Sequence, residues 1–244
     1  MSILVIGESC LDVFTYGECN RMCPEAPVPV FNPINITENG GMAMNVYTNL
    51  LKMKTKVDIV TNNNFKDIKK TRFIDHRTNH MFMRLDEGEY DVSRCNDICL
   101  LKWSDYDAVI ISDYCKGFLT EEDISIICKN HPKVFVDTKK IIGDFCKNAL
   151  IIKINEQEWE NSKDYYSASI EDKLVITLGN KGCNYRGKNF SVKDVPVKDQ
   201  TGAGDTFIAA LCWSYLSNEN MEVALVFANE CAGRVVTTRG VTSI

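Results

Sequence analysis

The chain has 244 residues, 45% of them hydrophobic and 25% charged, which supplies a buried core and excludes disordered, collagen-like and mini-protein classes. With 28 Lys and Arg against 33 Asp and Glu the formal net charge is −5, so no broad basic face is available for nucleic acid or a membrane surface. No apolar run approaches the roughly 18–20 residues of a membrane span, and the opening segment 1–7 lacks the basic start and long apolar stretch of a signal peptide, so a cytoplasmic protein is expected.

In chain order, a β-branched apolar run at 3–7 is followed by alternating or Pro-punctuated extended segments at 13–16 and 27–36. Helix-compatible apolar spacing covers 43–53, and a strand run follows at 57–61. The Asn-rich loop Asn62-Asn63-Asn64 leads to further extended segments at 72–75 and 81–85. Together the extended segments predict antiparallel strands in a flap, spanning about 13–36 and 72–86, beside the main sheet. Strand runs at 108–112, 134–137, 149–154 and 174–178 then alternate with a helix at 121–129, and helices at 206–216 and 221–236 complete the pattern. Most of these strands are apolar throughout, as strands covered on both faces must be, and the alternation with helices implies a parallel sheet with right-handed crossovers. The fold class is α/β, and the absence of any linker-like stretch makes 1–244 a single domain.

The 11 cysteines are odd in number and contain no C-x-x-C, so they are expected to be reduced packing residues. The pairs Cys19/Cys23 and Cys95/Cys99, with His76, His80 and His131, have no matching second half-site for zinc.

The most informative stretch is Asp199-Gln200-Thr201-Gly202-Ala203-Gly204-Asp205-Thr206, in which two glycines and a small residue lead into an apolar helix. Gly202 and Gly204 let the backbone approach an anion, and the helix start that follows favours negative charge. Asp205 alone would be an ordinary first-turn acid. Beside a bound phosphoryl group it becomes a base for an attacking hydroxyl.

This stretch resembles the carboxyl-terminal signature, D-x-T-G-A-G-D, of the ribokinase (PfkB-type) family of carbohydrate kinases. The likeness extends over almost the whole chain. Asp12, Gly40, Gly41 and Asn45 resemble the family's sugar-holding residues, a carboxylate and carboxamide with a glycine pair that admits the sugar to the backbone. Asn155 and Glu158 resemble its N-x-x-E motif, which implies Mg²⁺ placed near the phosphates through Glu158, by way of water. Thr177, Gly179 and Gly182 resemble its nucleotide loop, and Asn229 falls where a family Asn lies near the nucleotide. Seen singly, these are a polar helix start, a tight turn and a helix-surface Asn.

Within the family the sequence is similar to D-glycero-β-D-manno-heptose-7-phosphate kinases, the kinase portion of ADP-heptose biosynthesis proteins. The likeness is carried by the flap segment 21–30 (R-M-C-P-E-A-P-V-P-V), by Ser112-Asp113-Tyr114-Cys115-Lys116-Gly117, by Asp137-Thr138-Lys139 and by Arg84-Leu85-Asp86. It implies a ribokinase-like three-layer α/β fold with a small β flap, ATP as phosphoryl donor, Mg²⁺, and Asp205 as the general base. The anion hole would be Gly202, Ala203 and Gly204, and the acceptor the anomeric hydroxyl of a heptose 7-phosphate. Arg21, Arg84, Lys116 and Lys139 are candidate partners for the sugar phosphate. The flap would also meet its copy in a homodimer. Two other readings share these residues: a kinase for another sugar such as ribose or fructose, and a non-catalytic nucleotide or sugar-phosphate binder. The second draws on two departures from the family: a short Asn/Lys-rich stretch between Thr61 and Arg72 in place of a G-x-D motif, a helix and a strand, and the lack of the family's last helix after Gly240.

Overall fold

In the computed structural model, which describes residues 1–96, 98–238 and 240–244, the continuous apolar runs form the middle of one sheet. Its strands are β1 (Ser2–Gly7), β4 (Lys56–Val60), β7 (Ala108–Asp113), β8 (Val134–Thr138), β9 (Ile151–Asn155), β10 (Leu174–Thr177), β11 (Cys183–Tyr185) and β12 (Lys188–Phe190). The spatial order is β12-β11-β10-β9-β8-β7-β1-β4. All pairs from β4 to β10 are parallel, and the β11–β12 hairpin, which the sequence patterning did not signal, adds an antiparallel edge.

The strands are apolar throughout because alternate side chains enter two separate cores. Ile3 and Val5 of β1, Ile110 of β7 and Phe135 of β8 face the helices α1 (Gly41–Lys52), α4 (Ala203–Asn218) and α5 (Met221–Val235). Leu4, Ile6, Val109, Ile111 and Val136 face the other side, where α2 (Glu121–Asn130) packs and where Trp159 of α3 (Glu156–Ser162) adds a half-buried ring. The result is the three-layer arrangement expected of a parallel sheet. Helix α4 is buried on almost every side between α1, α5 and the sheet, in keeping with its nearly all-apolar sequence after Thr206.

The flap is a separate four-stranded sheet in the order β3-β2-β5-β6, made of β2 (Leu11–Met22), β3 (Pro29–Asn39), β5 (Lys69–Asp75) and β6 (Met81–Glu87). The outer pairs are antiparallel as expected, but the central pair, β2 with β5, is parallel. The chain makes this possible by running from β4 through the loop 61–68 straight into β5, so both central flap strands leave the main sheet in the same direction. That loop is anchored by buried Asn62, whose Oδ1 accepts the Ser9 amide at 2.8 Å.

Register gives the flap two unlike faces. The cross-strand rows Asp12–Lys70–Asp86 and Phe14–Arg72–Arg84 lie on one, and the rows Thr15–Phe73–Met83 and Val13–Thr71–Leu85 on the other. All 11 cysteines are free, and burial pushes thiols such as Cys10 and Cys128 up to about 12. No helix among the described residues is long and apolar enough to cross a membrane.

Candidate active site

The carboxyl ends of β8, β9 and β10 and the start of α4 open into one cleft, the place where an open parallel sheet offers a binding crevice. The cleft encloses about 800 Å³. Gly202 caps α4 with φ of +80°, a left-handed conformation that disfavours any side chain, and no side chain caps the helix in its place. The Ala203 amide turns back to the Gln200 carbonyl at 3.2 Å, and the other first-turn amides, which no side chain caps, are left to face an anion. Gly204 serves a different purpose: a Cβ there would stand 3.0 Å from Lys153 Nζ. Its absence lets the ammonium reach the helix start.

Asp205, in the first turn of α4, is only 3% exposed. Its Oδ1 accepts the Tyr114 hydroxyl at 2.7 Å and its Oδ2 accepts Asn45 Nδ2 at 3.1 Å. Burial pushes its carboxyl up to about 6, and Asp137 adds to the rise, while the Tyr114 and Asn45 hydrogen bonds and Lys153 oppose it. A carboxylate that titrates close to neutrality, at the mouth of an anion cradle, is suited to take a proton from a hydroxyl.

On the cleft's polar wall, Asp137 and Lys153 are cross-strand partners of β8 and β9, joined at 2.8 Å, and both are buried. Lys139 pairs with Glu158, stands 3.8 Å from Asp137 Oδ1 and lies over the Tyr114 ring at 5.5 Å. The sequence grouped Lys139 with the sugar-phosphate cations, whereas the structure places it on this wall with Asp137 and Lys153. Asn155 and Glu158 form a reciprocal capping box at the start of α3, with both hydrogen bonds at 2.8 Å.

These contacts test the fit of a hard divalent cation. Both Glu158 oxygens are held by Lys139 and Asn155, so Glu158 can serve a cation only through water. Asp137 Oδ1, in contrast, is buried and accepts no hydrogen bond. One carboxylate oxygen without a hydrogen bond, beside a water-linked neighbour, suits Mg²⁺, which keeps most of its water and leans on substrate phosphates. Clusters of three or more His, Cys, Asp or Glu, as a dedicated metal cage would need, are absent among the described residues.

The cleft's far end receives the remaining residues that the sequence assigned to a nucleotide. Thr177 lies beside Asn155 in the β9–β10 register, and Gly179 and Gly182 form the turn into β11. Asn229 is buried on α5 and donates from Nδ2 to the Phe190 carbonyl at 2.8 Å, so it braces β12 as well as lining the cleft. Val192, Val195, Ala232 and Val236 supply an apolar wall suited to a flat heterocycle.

Across Asp205 lies the second half of the site. Gly41, with φ of +51°, turns the chain so closely over β2 that a Cβ would lie 2.8 Å from Cys10 Sγ and 3.4 Å from Asp12 Cβ. Gly40 precedes it as the N-cap of α1, and Asn45 ties this corner to Asp205. Asp12 pairs with Arg72, and Lys70 and Arg84 act on it as well, so three flap cations converge on one acid. Arg84 also holds Asp86, while Glu89 pairs with Lys70 at 3.3 Å and with Lys116 at 3.0 Å. Of the four cations singled out in the sequence, Arg84 and Lys116 join this face. Arg21 is exposed near the outer end of β2, about 30 Å along the strand from Asp12 at roughly 3.3 Å per residue.

The sequence reading missed Tyr114, Asp137 and Lys153 as site residues, and Lys70 and Arg72 on the flap. A signal existed for Lys153: a lone lysine in a strand buried on both faces requires an acidic partner.

A family model described as pfkB family carbohydrate kinase matches residues 43–244. The bifunctional protein HldE of a Nitratiruptor species is 30% identical over 284 residues, covering 96% of this chain and 61% of that protein. The bifunctional protein HldE of Helicobacter pylori (strain J99) is 30% identical over 292 residues, covering 98% of this chain and 63% of that protein. The chain thus spans less than two thirds of the length of these relatives. Among solved structures, Arabidopsis thaliana ribokinase complexed with ribose and ATP shares the fold with a TM-score of 0.69 at 14% identity, covering 98% of this chain and 93% of that one.

Proposed function

The chain belongs to the pfkB family of carbohydrate kinases, and on that premise we propose that it transfers the γ-phosphoryl group of ATP to the anomeric hydroxyl of a heptose 7-phosphate. The observation that carries the reading is the position of Asp205: a buried carboxylate, raised to about 6, directly behind the uncapped start of α4 and between the cleft and the flap. The acceptor hydroxyl gives its proton to Asp205 as its oxygen bonds to phosphorus, and the bond from phosphorus to the ADP oxygen breaks. The Gly202 and Gly204 amides and the Lys153 ammonium stabilise charge on the moving group. Mg²⁺, held by Asp137 and through water by Glu158, would neutralise phosphate charge. The apolar wall beside Asn229 takes the base of the nucleotide.

Asp12, Asn45 and the Gly40–Gly41 turn hold the sugar hydroxyls. Preference for a phosphorylated sugar draws support from Lys70, Arg72, Arg84 and Lys116, which gather on the sugar-side face of an otherwise acidic protein. The likeness of segments 21–30 and 112–117 to heptose-7-phosphate kinases, and the HldE relatives, point the same way. The flap's outer surface exposes Ile34, Ile36, Met83 and Leu85, and we assign it to a second copy of the chain, which would cover apolar area that a lone flap leaves wet.

The test is ADP release by the purified protein against a panel of sugars and sugar phosphates. Stimulation by heptose 7-phosphate above ribose and fructose is expected. Stimulation by an unphosphorylated sugar alone removes the proposed acceptor, and nucleotide binding without ADP release under any condition removes catalysis.

A further inference from the structure

Glu8 is fully buried just beyond β1, and no step above uses it. Its Oε2 accepts the Tyr114 amide at 2.7 Å and its Oε1 accepts the Lys116 amide at 2.9 Å, from residues more than a hundred positions away. A carboxylate spent on two backbone amides of one loop is a clamp on that loop's shape.

The loop 113–117 needs one. Cys115 sits at φ of +58°, a left-handed conformation that a non-glycine residue keeps only where its surroundings impose it. A second anchor comes from buried Asp113, which accepts Lys140 Nζ at 2.7 Å and the Thr138 hydroxyl. Between the anchors the Tyr114 side chain extends to the base, its hydroxyl 2.7 Å from Asp205 Oδ1.

We propose that Glu8 and Tyr114 are positioning residues for the base: Glu8 holds the loop, and the loop aims the Tyr114 hydroxyl so that one oxygen of Asp205 is fixed and its ionised form favoured. This rests on the kinase reading, because Asp205 is the base only there. The physical logic is that a phenol donates a stronger hydrogen bond to a carboxylate oxygen than to the carbonyl oxygen of the protonated acid, so the bond favours the deprotonated state. The titratable groups facing Asp205 come from several elements: Asp137 and Lys139 from β8 and the residues after it, Lys153 from β9, and the neutral Cys10 thiol from the β1–β2 connection. Asn45 on α1 supplies the other hydrogen bond. Of the influences that favour the ionised form, the Tyr114 bond is the largest. Burial and Asp113 push Glu8 itself up, and the two amides draw it back.

The experiment compares wild type, Tyr114→Phe and Glu8→Gln by two readouts: the pH profile of kcat, and the midpoint of Asp205 titration followed by carboxyl carbon-13 NMR, with Asp205→Asn identifying the signal. Tyr114→Phe removes one hydroxyl and leaves the ring. Its midpoint and the acid limb of its profile should both rise by roughly half to one pH unit, with most of the lost turnover recovered at high pH. Glu8→Gln, if folded, should move both in the same direction. A Tyr114→Phe midpoint equal to that of wild type, or a turnover loss uniform across pH, overturns the proposal. A folded Glu8→Gln with an unmoved midpoint removes Glu8 from it. If wild type turns over no sugar, the kinase reading fails while the NMR midpoints still decide whether Tyr114 holds Asp205.

Discussion

Replacing Asp205 by Asn should abolish most turnover and at the same time make the protein more stable. The carboxyl rises from 3.8 to about 6 on folding, so at pH 8 the folded state carries an ionised group that burial disfavours. At about 1.4 kcal/mol per pH unit that shift costs about 3 kcal/mol of folding free energy. For a group raised in this way, the stabilising contribution is complete below 3.8 and is lost as pH rises through about 6. Asparagine has the same shape and carries no charge. Its oxygen can still accept from Tyr114, but its nitrogen meets Asn45 Nδ2, a donor against a donor, which returns about 1 kcal/mol. A net gain of about 1–2 kcal/mol at pH 8, or about 2–8 °C in Tm for a chain of this size, is expected. Urea unfolding at about pH 8 and about pH 4.5 checks it, since the advantage should shrink through that window. Turnover should fall by roughly 10²- to 10⁴-fold with nucleotide affinity nearly unchanged, read by ADP release and isothermal titration. A variant less stable than wild type at pH 8, or displaced equally at both pH values, would refute burial as the cause. Near-normal turnover would remove Asp205 as the base.

The two glycines of the cradle should fail differently on substitution. Gly202→Ala forces a side chain into the left-handed region and should cost about 1–2 kcal/mol in denaturant unfolding, whereas Gly204→Ala displaces Lys153 and should lower turnover about tenfold or more with little loss of stability. Lys153→Met strands the buried Asp137 carboxylate and should cost about 3–5 kcal/mol in urea unfolding. Lys70→Ala should raise KM for a phosphorylated acceptor several-fold, more at low salt than at high, and leave KM for ATP unchanged; an effect on ATP alone would place Lys70 wrongly. Met83→Glu, which puts a charge on the flap's apolar surface, should convert a dimer to a monomer in sedimentation velocity, and an unchanged species would exclude that surface as the interface.

Much of the architecture was legible in the chain because it rests on local chemistry. Strands buried on two faces must be apolar throughout, so β1, β7 and β8 stand out from the sequence within a residue or two of their ends. The glycines before an apolar helix located the start of α4 because a left-handed cap and an uncapped first turn are properties of a few adjacent residues. The hairpin of β11 and β12 escaped notice, since three-residue strands carry too little periodicity, although Arg186 and Gly187 both adopt the positive φ of a tight hairpin turn.

Local residue chemistry accounts for the class of fold, the left-handed glycine cap of α4 and the acid in its first turn. The folded chain alone decided what surrounds that acid. Asn45 and Tyr114 reach Asp205 from 160 and 91 residues away, and Lys153 meets Asp137 through strand register. Local spacing is blind to such pairs, because register and crossover are settled by which apolar faces can be buried together. The same is true of the flap, where parallel pairing of β2 with β5 put Lys70 and Arg72 beside Asp12, a grouping of charge that no run of adjacent residues encodes.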